Sequence, residues 1–261
     1  MEETDNLITQ DPDTTDGKVK NIPYIGHKSE SPAYQVDPDT FLEDGYRICF
    51  NTYSRAFRSL FMIHNETVNV WTHLIGAFAA AIAIFAARFI LKEESVTIYP
   101  LLIHIISTAI GLSLSSIFHL LGCTSGEDFQ FFQKLDYVGI LIIASGTIIS
   151  PLYYGFMCPE HFFWRYLWIG TAIGCCGLAA GLTMCQKRPV PWINGLAWLC
   201  AVLMGCPGFI HLTFYKDAGP EFKLAPWAIG ASFIGLGMSI YALRIPERIW
   251  PKRFDFFGSS H

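Results

Sequence analysis

The sequence predicts an all-α integral membrane protein with six transmembrane helices. Of its 261 residues, 52% are hydrophobic and only 15% are charged. The apolar residues form unbroken runs instead of the one-sided stripes that soluble helices show. Six of these runs have the length of about 20 residues that crosses a bilayer, and backbone in lipid must satisfy its polar groups within a helix. The predicted spans are residues 70–91, 98–123, 135–157, 163–185, 193–215 and 224–243.

Residues 1–40 are predicted to be a disordered acidic tail. Half of the 22 acidic residues lie before Arg47. A segment of this composition buries too little apolar surface to fold alone. The start of the chain has no basic region followed by an apolar core, so we expect no secretory signal peptide. The sequence has no basic stripe, so we expect no nucleic-acid partner.

Residues 41–62 are predicted to form an amphipathic juxtamembrane helix. Its apolar face carries Phe50, Tyr53, Phe57, Leu60 and Phe61. Arg47, Arg55 and Arg58 lie on the other face, where they can meet anionic lipid headgroups or a partner. Packing of this helix against the end of the bundle is an equally good interpretation.

The distribution of lysine and arginine predicts a cytoplasmic N-terminus. With the N-terminus inside, the inner segments near the spans hold ten basic residues and the outer segments hold four. The excess of basic residues marks the cytoplasmic side of a membrane protein. Asn65-Glu66-Thr67 has the form of a glycosylation sequon, but this orientation places it inside. We therefore expect Asn65 to be unmodified and to cap the first span.

The eight cysteines form no C-x-x-C pair, and most of them lie within predicted spans. Cysteine in such a position behaves as a small apolar residue. We therefore expect no disulfide framework. His73, His104 and His211 have no partner histidine nearby in the sequence, so we interpret them as packing or hydrogen-bonding residues.

Three ionisable residues from separate parts of the chain are predicted to reach one membrane depth. His119 lies at the inner end of the second span, Asp136 begins the third, and His261 follows a basic inner segment. Ser115 precedes His119 by one helical turn, on the same face. Polar groups at this depth are costly and are candidates for function. The alternative is that the histidines are isolated and satisfied by neighbouring carbonyls.

These residues have the chemistry of a zinc centre. Catalytic zinc takes three protein ligands and a water, and nearby carboxylates orient the water or a ligand. His119 and His261 supply two ligands, with Asp136 and Ser115 beside them. Zinc lowers the pKa of its bound water to about 7, so the water can attack an amide or ester carbonyl.

The chain resembles the progestin and adipoQ receptor family, which includes the adiponectin receptors. The resemblance covers roughly residues 41–261. It is carried by residues 65–76 (NETVNVWTHLIG), Ser115-x-x-x-His119, residues 134–140 (KLDYVGI) and residues 244–251 (RIPERIWP).

This resemblance implies a seven-helix bundle with a cytoplasmic N-terminus and a zinc site. Its zinc ligands match His119 and His261, and the third belongs to a His-x-x-x-His motif of which only the first histidine is present. The family's serine and aspartate match Ser115 and Asp136. We therefore expect six of the seven helices, a chain incomplete at its C-terminus, and weak or absent zinc binding.

Residues 59–61 (SLF), 65–69 (NETVN) and 257–261 (FGSSH) resemble one branch of the family in particular. That branch resides in the Golgi membrane, tethers a Raf-type kinase through its cytoplasmic N-terminal part and restrains MAP kinase signalling. The leading hypothesis is therefore a Golgi scaffold. A receptor of the adiponectin or progestin type, at the plasma membrane, is the second hypothesis. A zinc-dependent intramembrane amidohydrolase of ceramide-like lipids, with Asp136 as base, is the third.

Overall fold

Seven α-helices and one two-stranded sheet make up most of the described part of the chain, in a computed structural model. The structure describes residues 22–37, 40–90, 98–187, 190, 194–195, 199, 203, 205–214 and 224–260. The helices are α1 (Tyr53–Ser59), α2 (Thr67–Ile90), α3 (Ile98–Leu121), α4 (Gly126–Gly155), α5 (Phe162–Cys185), α6 (Cys206–Phe214) and α7 (Leu224–Leu243). Five of them, α2 to α5 and α7, are long and apolar enough to cross a membrane.

The predicted spans agree with α2, α3, α5 and α7 to within three residues, whereas α4 begins nine residues earlier than predicted. The reason is a local cap. The side chain of Ser125 accepts a hydrogen bond from the backbone N–H of Asp128 at 3.0 Å. Glu127 and Asp128 then lie in the first turn, where negative charge stabilises the helix N-terminus. This polar start extends α4 beyond the apolar run. Nine residues of the predicted span 193–215 lie outside the described residues, and α6 forms its final described part.

Helices α3 and α4 approach each other closely at two glycines. A Cβ atom on Gly111 would lie 2.7 Å from the carbonyl oxygen of Gly139, and one on Gly139 would lie 3.0 Å from that of Gly111. Small residues let membrane helices pack at short backbone distances. One helical turn after Gly111, α3 carries Ser115, so this contact fixes where that side chain lies relative to α4.

A small sheet lies against one end of the bundle, which we call the capped end. Strand β1 (Tyr24–His27) pairs antiparallel with β2 (Asp44–Ile48). Gly45 in β2 has φ +94°, and its carbonyl accepts a 3.0 Å hydrogen bond from the N–H of Asn65. A Cβ on Gly45 would lie only 2.8 Å from that nitrogen. The position therefore requires glycine both for its positive φ and for this close approach.

The capped end differs from the sequence-based expectation for residues 1–62. Part of the expected disordered tail, residues 22–37, contains β1, and part of the expected juxtamembrane helix is strand β2. Helix is confined to α1, where the side chain of Thr52 caps the N–H of Arg55. Phe50 is buried against Ala56 and Cys123, so it does not belong to an exposed apolar face.

The segment after α7, residues 244–260, folds back onto the N-terminal layer. Asp255 accepts a 3.1 Å hydrogen bond from the backbone N–H of Asp44. Arg244 forms a 2.9 Å ion pair with Asp37. The capped end is therefore built from both ends of the described chain.

Candidate functional site

A cluster of four polar side chains lies between α2 and α3 near the capped end. We call Glu66, His73, Ser115 and His119 the polar cluster. Oε2 of Glu66 lies 2.8 Å from Nδ1 of His119, and Nδ1 of His73 lies 2.7 Å from Oγ of Ser115. The two imidazole rings meet edge to face with centroids 5.8 Å apart. Two hydrogen-bonded pairs thus lie side by side across the same helix interface.

Helical spacing explains why these four residues meet. Ser115 and His119 are four residues apart in α3, and side chains at this spacing share one face. Glu66 directly precedes α2 and His73 lies seven residues later, which is two turns along the same face. Each helix therefore presents two polar groups to the other at matching heights.

The surroundings make these hydrogen bonds necessary. Ser115 and His119 are 7% and 5% exposed. A buried polar group without a partner costs free energy, and the cost is greatest where water is excluded. Oε2 of Glu66 also accepts a 2.7 Å hydrogen bond from the side-chain amide of Asn69. Asn69 of α2 thus fixes the position of the Glu66 carboxylate, and the carboxylate fixes the ring of His119 in α3.

The pairing with Glu66 defines the tautomer of His119. An ionised carboxylate only accepts hydrogen bonds, so Nδ1 of the imidazole carries the proton in this pair. In the neutral ring, Nε2 then bears the lone pair. A carboxylate behind one ring nitrogen is the usual arrangement around a metal-binding histidine.

His64 holds the backbone of Glu66 in place from outside the membrane-spanning segments. Nδ1 of His64 accepts a 3.1 Å hydrogen bond from the N–H of Glu66. Burial and the nearby positive charge of Arg47 lower the pKa of His64 to about 3. His64 is therefore neutral at physiological pH, as this acceptor role requires.

Arg47 connects the capped end to the polar cluster. Its guanidinium donates to the backbone carbonyls of His119 at 2.6 Å and Leu120 at 2.8 Å, and to Oγ of Ser59 at 3.2 Å. These are terminal carbonyls of α3, which have no partner within the helix, and a cation there also interacts favourably with the helix dipole. Strand β2 thereby holds the last turn of α3.

Only one of the three arginines predicted to bind headgroups or a partner is fully on the surface. Arg47 is 3% exposed and bonded internally, which corrects that prediction for this residue. Arg55 is partly buried and donates to the carbonyl of Cys49 and the side chain of Asn51. Arg58 is exposed. The sequence pattern alone did not separate a buried helix-capping arginine from surface ones.

The other predicted site residues lie at or beyond the edge of the polar cluster. Asp136 is partly buried in α4 and interacts electrostatically with His119. His261 lies outside the described residues. The residue before it, Ser260, donates its N–H to the buried carboxylate of Glu247 at 2.8 Å.

The described residues supply one well-oriented histidine and not a complete metal site. Among them, no three histidine, cysteine, aspartate or glutamate side chains come together as a metal-binding group. A catalytic zinc takes three protein ligands. The fit to zinc therefore depends on His261, and no step can be derived through a metal from the described geometry.

Of the three histidines interpreted as hydrogen-bonding or packing residues, two form well-defined bonds. His73 pairs with Ser115, and Nδ1 of His211 accepts a 3.0 Å hydrogen bond from Nε1 of Trp168. His104 lies edge to face with Trp227. These contacts are of the kind that interpretation expects. The importance of Glu66 was missed, although its seven-residue spacing from His73 was a signal for a shared helix face.

Comparison with known proteins agrees with this architecture. The profile of the family described as haemolysin-III related matches residues 61–261. The match covers all five candidate spans and the polar cluster. The chain therefore belongs to the haemolysin-III related family, which contains the progestin and adipoQ receptors, and is a multi-pass integral membrane protein.

Similar proteins carry receptor names. The adiponectin receptor protein of Drosophila melanogaster is 32% identical over 91% of this chain and 54% of its own length. The ADIPOR-like receptor IZH2 of Saccharomyces cerevisiae is 31% identical over 89% of this chain and 75% of its own length. Membrane progestin receptor beta of Homo sapiens is 27% identical over 89% of this chain and 69% of its own length. The chain thus spans about half the length of some relatives. These similarities support the family, and they favour the receptor hypothesis over the Golgi scaffold.

Proposed function

We propose that this chain is a membrane receptor of the adiponectin and progestin receptor type, with the polar cluster as its functional centre. The supporting observation is the pair of buried hydrogen-bonded couples, Glu66 with His119 and Ser115 with His73. Polar side chains at membrane depth are costly and are retained for function. The names of the similar proteins favour a receptor among the functions open to this family.

The route from the cluster to the capped end supports the same proposal. A receptor must pass a change within the membrane to a surface that other proteins can contact. Arg47 donates hydrogen bonds to both the backbone carbonyl of His119 and the hydroxyl of Ser59. A shift of the last turn of α3 therefore changes the position of α1. We propose that the capped end faces the cytosol, because the basic residues near the spans are in excess on that side.

Ligand binding tests this proposal directly. Sealed plasma-membrane vesicles from cells that express the chain are incubated with labelled adiponectin and, separately, with labelled progesterone. We expect saturable binding of one of the two, since the relatives' names refer to these ligands. Glu66→Gln should weaken the coupled response, because it removes the charge that orients His119, while surface expression stays unchanged. Absence of saturable binding of either ligand would contradict the receptor proposal.

We also propose that the cluster belongs to a zinc centre, with His119 and His261 as ligands. The carboxylate of Glu66 behind Nδ1 of His119 supports this assignment. When bound, zinc would supply an activated water for hydrolysis of an amide such as that of a ceramide-like lipid. Asp136 would accept a proton and Ser115 would donate a hydrogen bond to the developing oxyanion. Release of fatty acid from a ceramide in reconstituted vesicles, lost in His119→Ala, would favour this enzyme hypothesis.

The Golgi scaffold is a further candidate, and the surface of α1 favours it. Tyr53, Phe57 and Phe61 are exposed aromatic side chains, the last of them 83% exposed. Arg58 lies among them and is also exposed. Such a surface suits a protein partner, with aromatic and arginine side chains as anchors. If a Raf-type kinase binds here, Phe57→Ser with Phe61→Ser should abolish its capture from solution, whereas Glu66→Gln should not.

A further inference from the structure

An open groove lies at the capped end between the N-terminal layer and the segment after α7. Its volume is about 520 Å³, which is within the range of about 300–1,000 Å³ of small-molecule sites. The lining comes from both ends of the described chain and combines apolar, basic and acidic side chains. The lining residues are Ile25, Ile63, Lys252, Arg253, Asp255, Phe256 and Phe257.

The exposed charged side chains at the groove are basic, whereas the carboxylate of Asp255 in its wall is buried. Lys252 and Arg253 line it, and Arg248 lies close by in the same segment; all three side chains are exposed. None of them forms a hydrogen bond or ion pair with another side chain in the described part of the chain. The two acidic residues of this segment, Glu247 and Asp255, are buried. The groove therefore suits a ligand with more than one negative charge.

One acidic group in the groove has an unused acceptor. Asp255 is 5% exposed, and its Oδ2 accepts from the N–H of Asp44. Its Oδ1 is buried and has no hydrogen-bond partner among the described residues. Buried carboxylate oxygens almost always have a donor, because an unmet one costs desolvation free energy. A ligand that brings an O–H or N–H donor next to its anionic groups would satisfy this acceptor.

The position of the groove relates it to the lipid headgroups. Ile63 is 60% exposed and lies four residues before α2, a candidate span. Lys252 lies nine residues after Leu243, the last residue of another span. Trp250 and Phe257 are exposed beside it. Aromatic and basic residues just outside spans are typical of the membrane interface on the cytoplasmic side.

We propose that this groove binds the phosphorylated headgroup of an inositol lipid. The phosphates interact with Lys252 and Arg253, a ring hydroxyl donates to Oδ1 of Asp255, and the glycerol end lies against Ile63 and Phe257. A headgroup with several phosphates and hydroxyls matches both the excess of cations and the unmet acceptor. A singly charged phosphodiester matches the cations less well and leaves the acceptor unmet. The proposal rests on the cytosolic orientation of the capped end and does not involve the polar cluster.

The test uses the full chain in nanodiscs of phosphatidylcholine, which expose both faces and so do not depend on orientation. Short-chain phosphatidylinositol phosphate is titrated and binding is followed by tryptophan fluorescence. We expect saturable binding that Lys252→Gln with Arg253→Gln weakens at least tenfold. The matched control is Arg58→Gln with Lys187→Gln, which removes the same charge from two exposed side chains and should leave affinity within twofold. Equal loss in both double variants would overturn the site.

Two further variants test the apolar contact and the hydroxyl contact of the proposed ligand separately. Ile63→Glu places a carboxylate in the groove and should abolish binding, with folding checked by the unchanged melting temperature. Asp255→Asn should reduce the preference for the inositol headgroup over phosphatidylserine. Equal affinity of the unaltered chain for phosphatidylserine, or for free inositol phosphate without its lipid, would overturn the assignment to an inositol lipid. Protease protection of an N-terminal tag in cells tests the orientation separately.

Discussion

The guanidinium of Arg47 lies 2.6 Å from the carbonyl oxygen of His119. A residue of a short strand outside the bundle thus holds the backbone of the most buried histidine in the polar cluster. The same group reaches Ser59 in α1. The capped end and the polar cluster are therefore one connected structure.

Replacing Arg47 should destabilise the protein strongly. Arg47→Met keeps the apolar stem but removes three hydrogen bonds, two of them to carbonyls at the end of α3. Hydrogen bonds to charged groups contribute about 1.5–3 kcal/mol each. We expect a clear fall in melting temperature of the detergent-solubilised protein. The control is Arg58→Met, which removes an exposed arginine and should change the melting temperature little. Equal shifts in the two variants would contradict the role given to Arg47.

The bond between Ser115 and His73 should appear as a coupling free energy. In a double-mutant cycle of Ser115→Ala and His73→Phe, measured by unfolding in mixed micelles, we expect coupling of about 0.5–1.5 kcal/mol. Ser113→Ala is a matched control, because the hydroxyl of Ser113 bonds a carbonyl of its own helix. A cycle with Ser113 in place of Ser115 should give coupling near zero. Additive effects in the Ser115 cycle would show that the pair contributes nothing to stability.

Stability should fall as the pH drops below the unfolded-state pKa of histidine, and His64 should account for part of the loss. Its folded pKa is about 3, lower than the usual value of 6.5. The unfolded chain therefore binds more protons between these values, so stability is fully present above pH 6.5 and decreases towards pH 3. The decrease approaches about 1.4 kcal/mol per pH unit within that window. His64→Gln should flatten the dependence of melting temperature on pH between 7.5 and 5. An unchanged slope would contradict the lowered pKa.

Zinc binding by the purified chain should be weak and should depend on His119. The described residues hold no group of three ligands, and a zinc centre with two protein ligands is loose. We expect less than one zinc per chain by elemental analysis, and none in His119→Ala. Glu66→Gln should lower any measured affinity about 10–100-fold, because it removes the carboxylate that orients the ligand. Stoichiometric zinc that His73→Ala removes would identify His73 as a ligand instead.

The N-terminus should face the cytosol. Protease added to sealed vesicles should remove an N-terminal tag, and Asn65 should carry no glycan. A mobility shift on glycosidase treatment that is absent in Asn65→Gln would place the capped end on the opposite side.

The spans that coincide with α2, α3, α5 and α7 were predictable, because the length and apolarity of a membrane helix can be read from consecutive residues. The start of α4 was not predictable from hydropathy. The Ser125 cap and two acidic residues in the first turn extend the helix through a polar stretch, which an apolar-run criterion assigns to a loop. The β1–β2 pair was missed because each strand has at most five residues and no long alternation. The acidic composition also predicted disorder for residues 22–37. There, pairing of β1 with β2 orders the chain.

Within the site, sequence spacing placed Ser115 and His119 on one face of α3 but said nothing of what that face meets. The partners Glu66 and His73 come from another helix, and the relative height of two helices is set by packing, not by either sequence. Arg47 was misassigned for a related reason. A basic residue near a span usually faces the headgroups, and only the three-dimensional position of the α3 terminus shows that this one is internal.

The close approach of Gly111 and Gly139 has a consequence for how the bundle can move. Sliding of α3 along α4 would drive backbone against backbone, so these two helices form a rigid pair. Glycines 170, 174, 177 and 181 of α5, in contrast, have no atom of the described residues, their own helix backbone aside, within 4 Å of the place that a methyl group would take. Under the receptor proposal, we therefore expect motion on ligand binding in the helices around the pair. Spin labels on α3 and α4 would keep a constant separation, while labels on α3 and α5 would report the change.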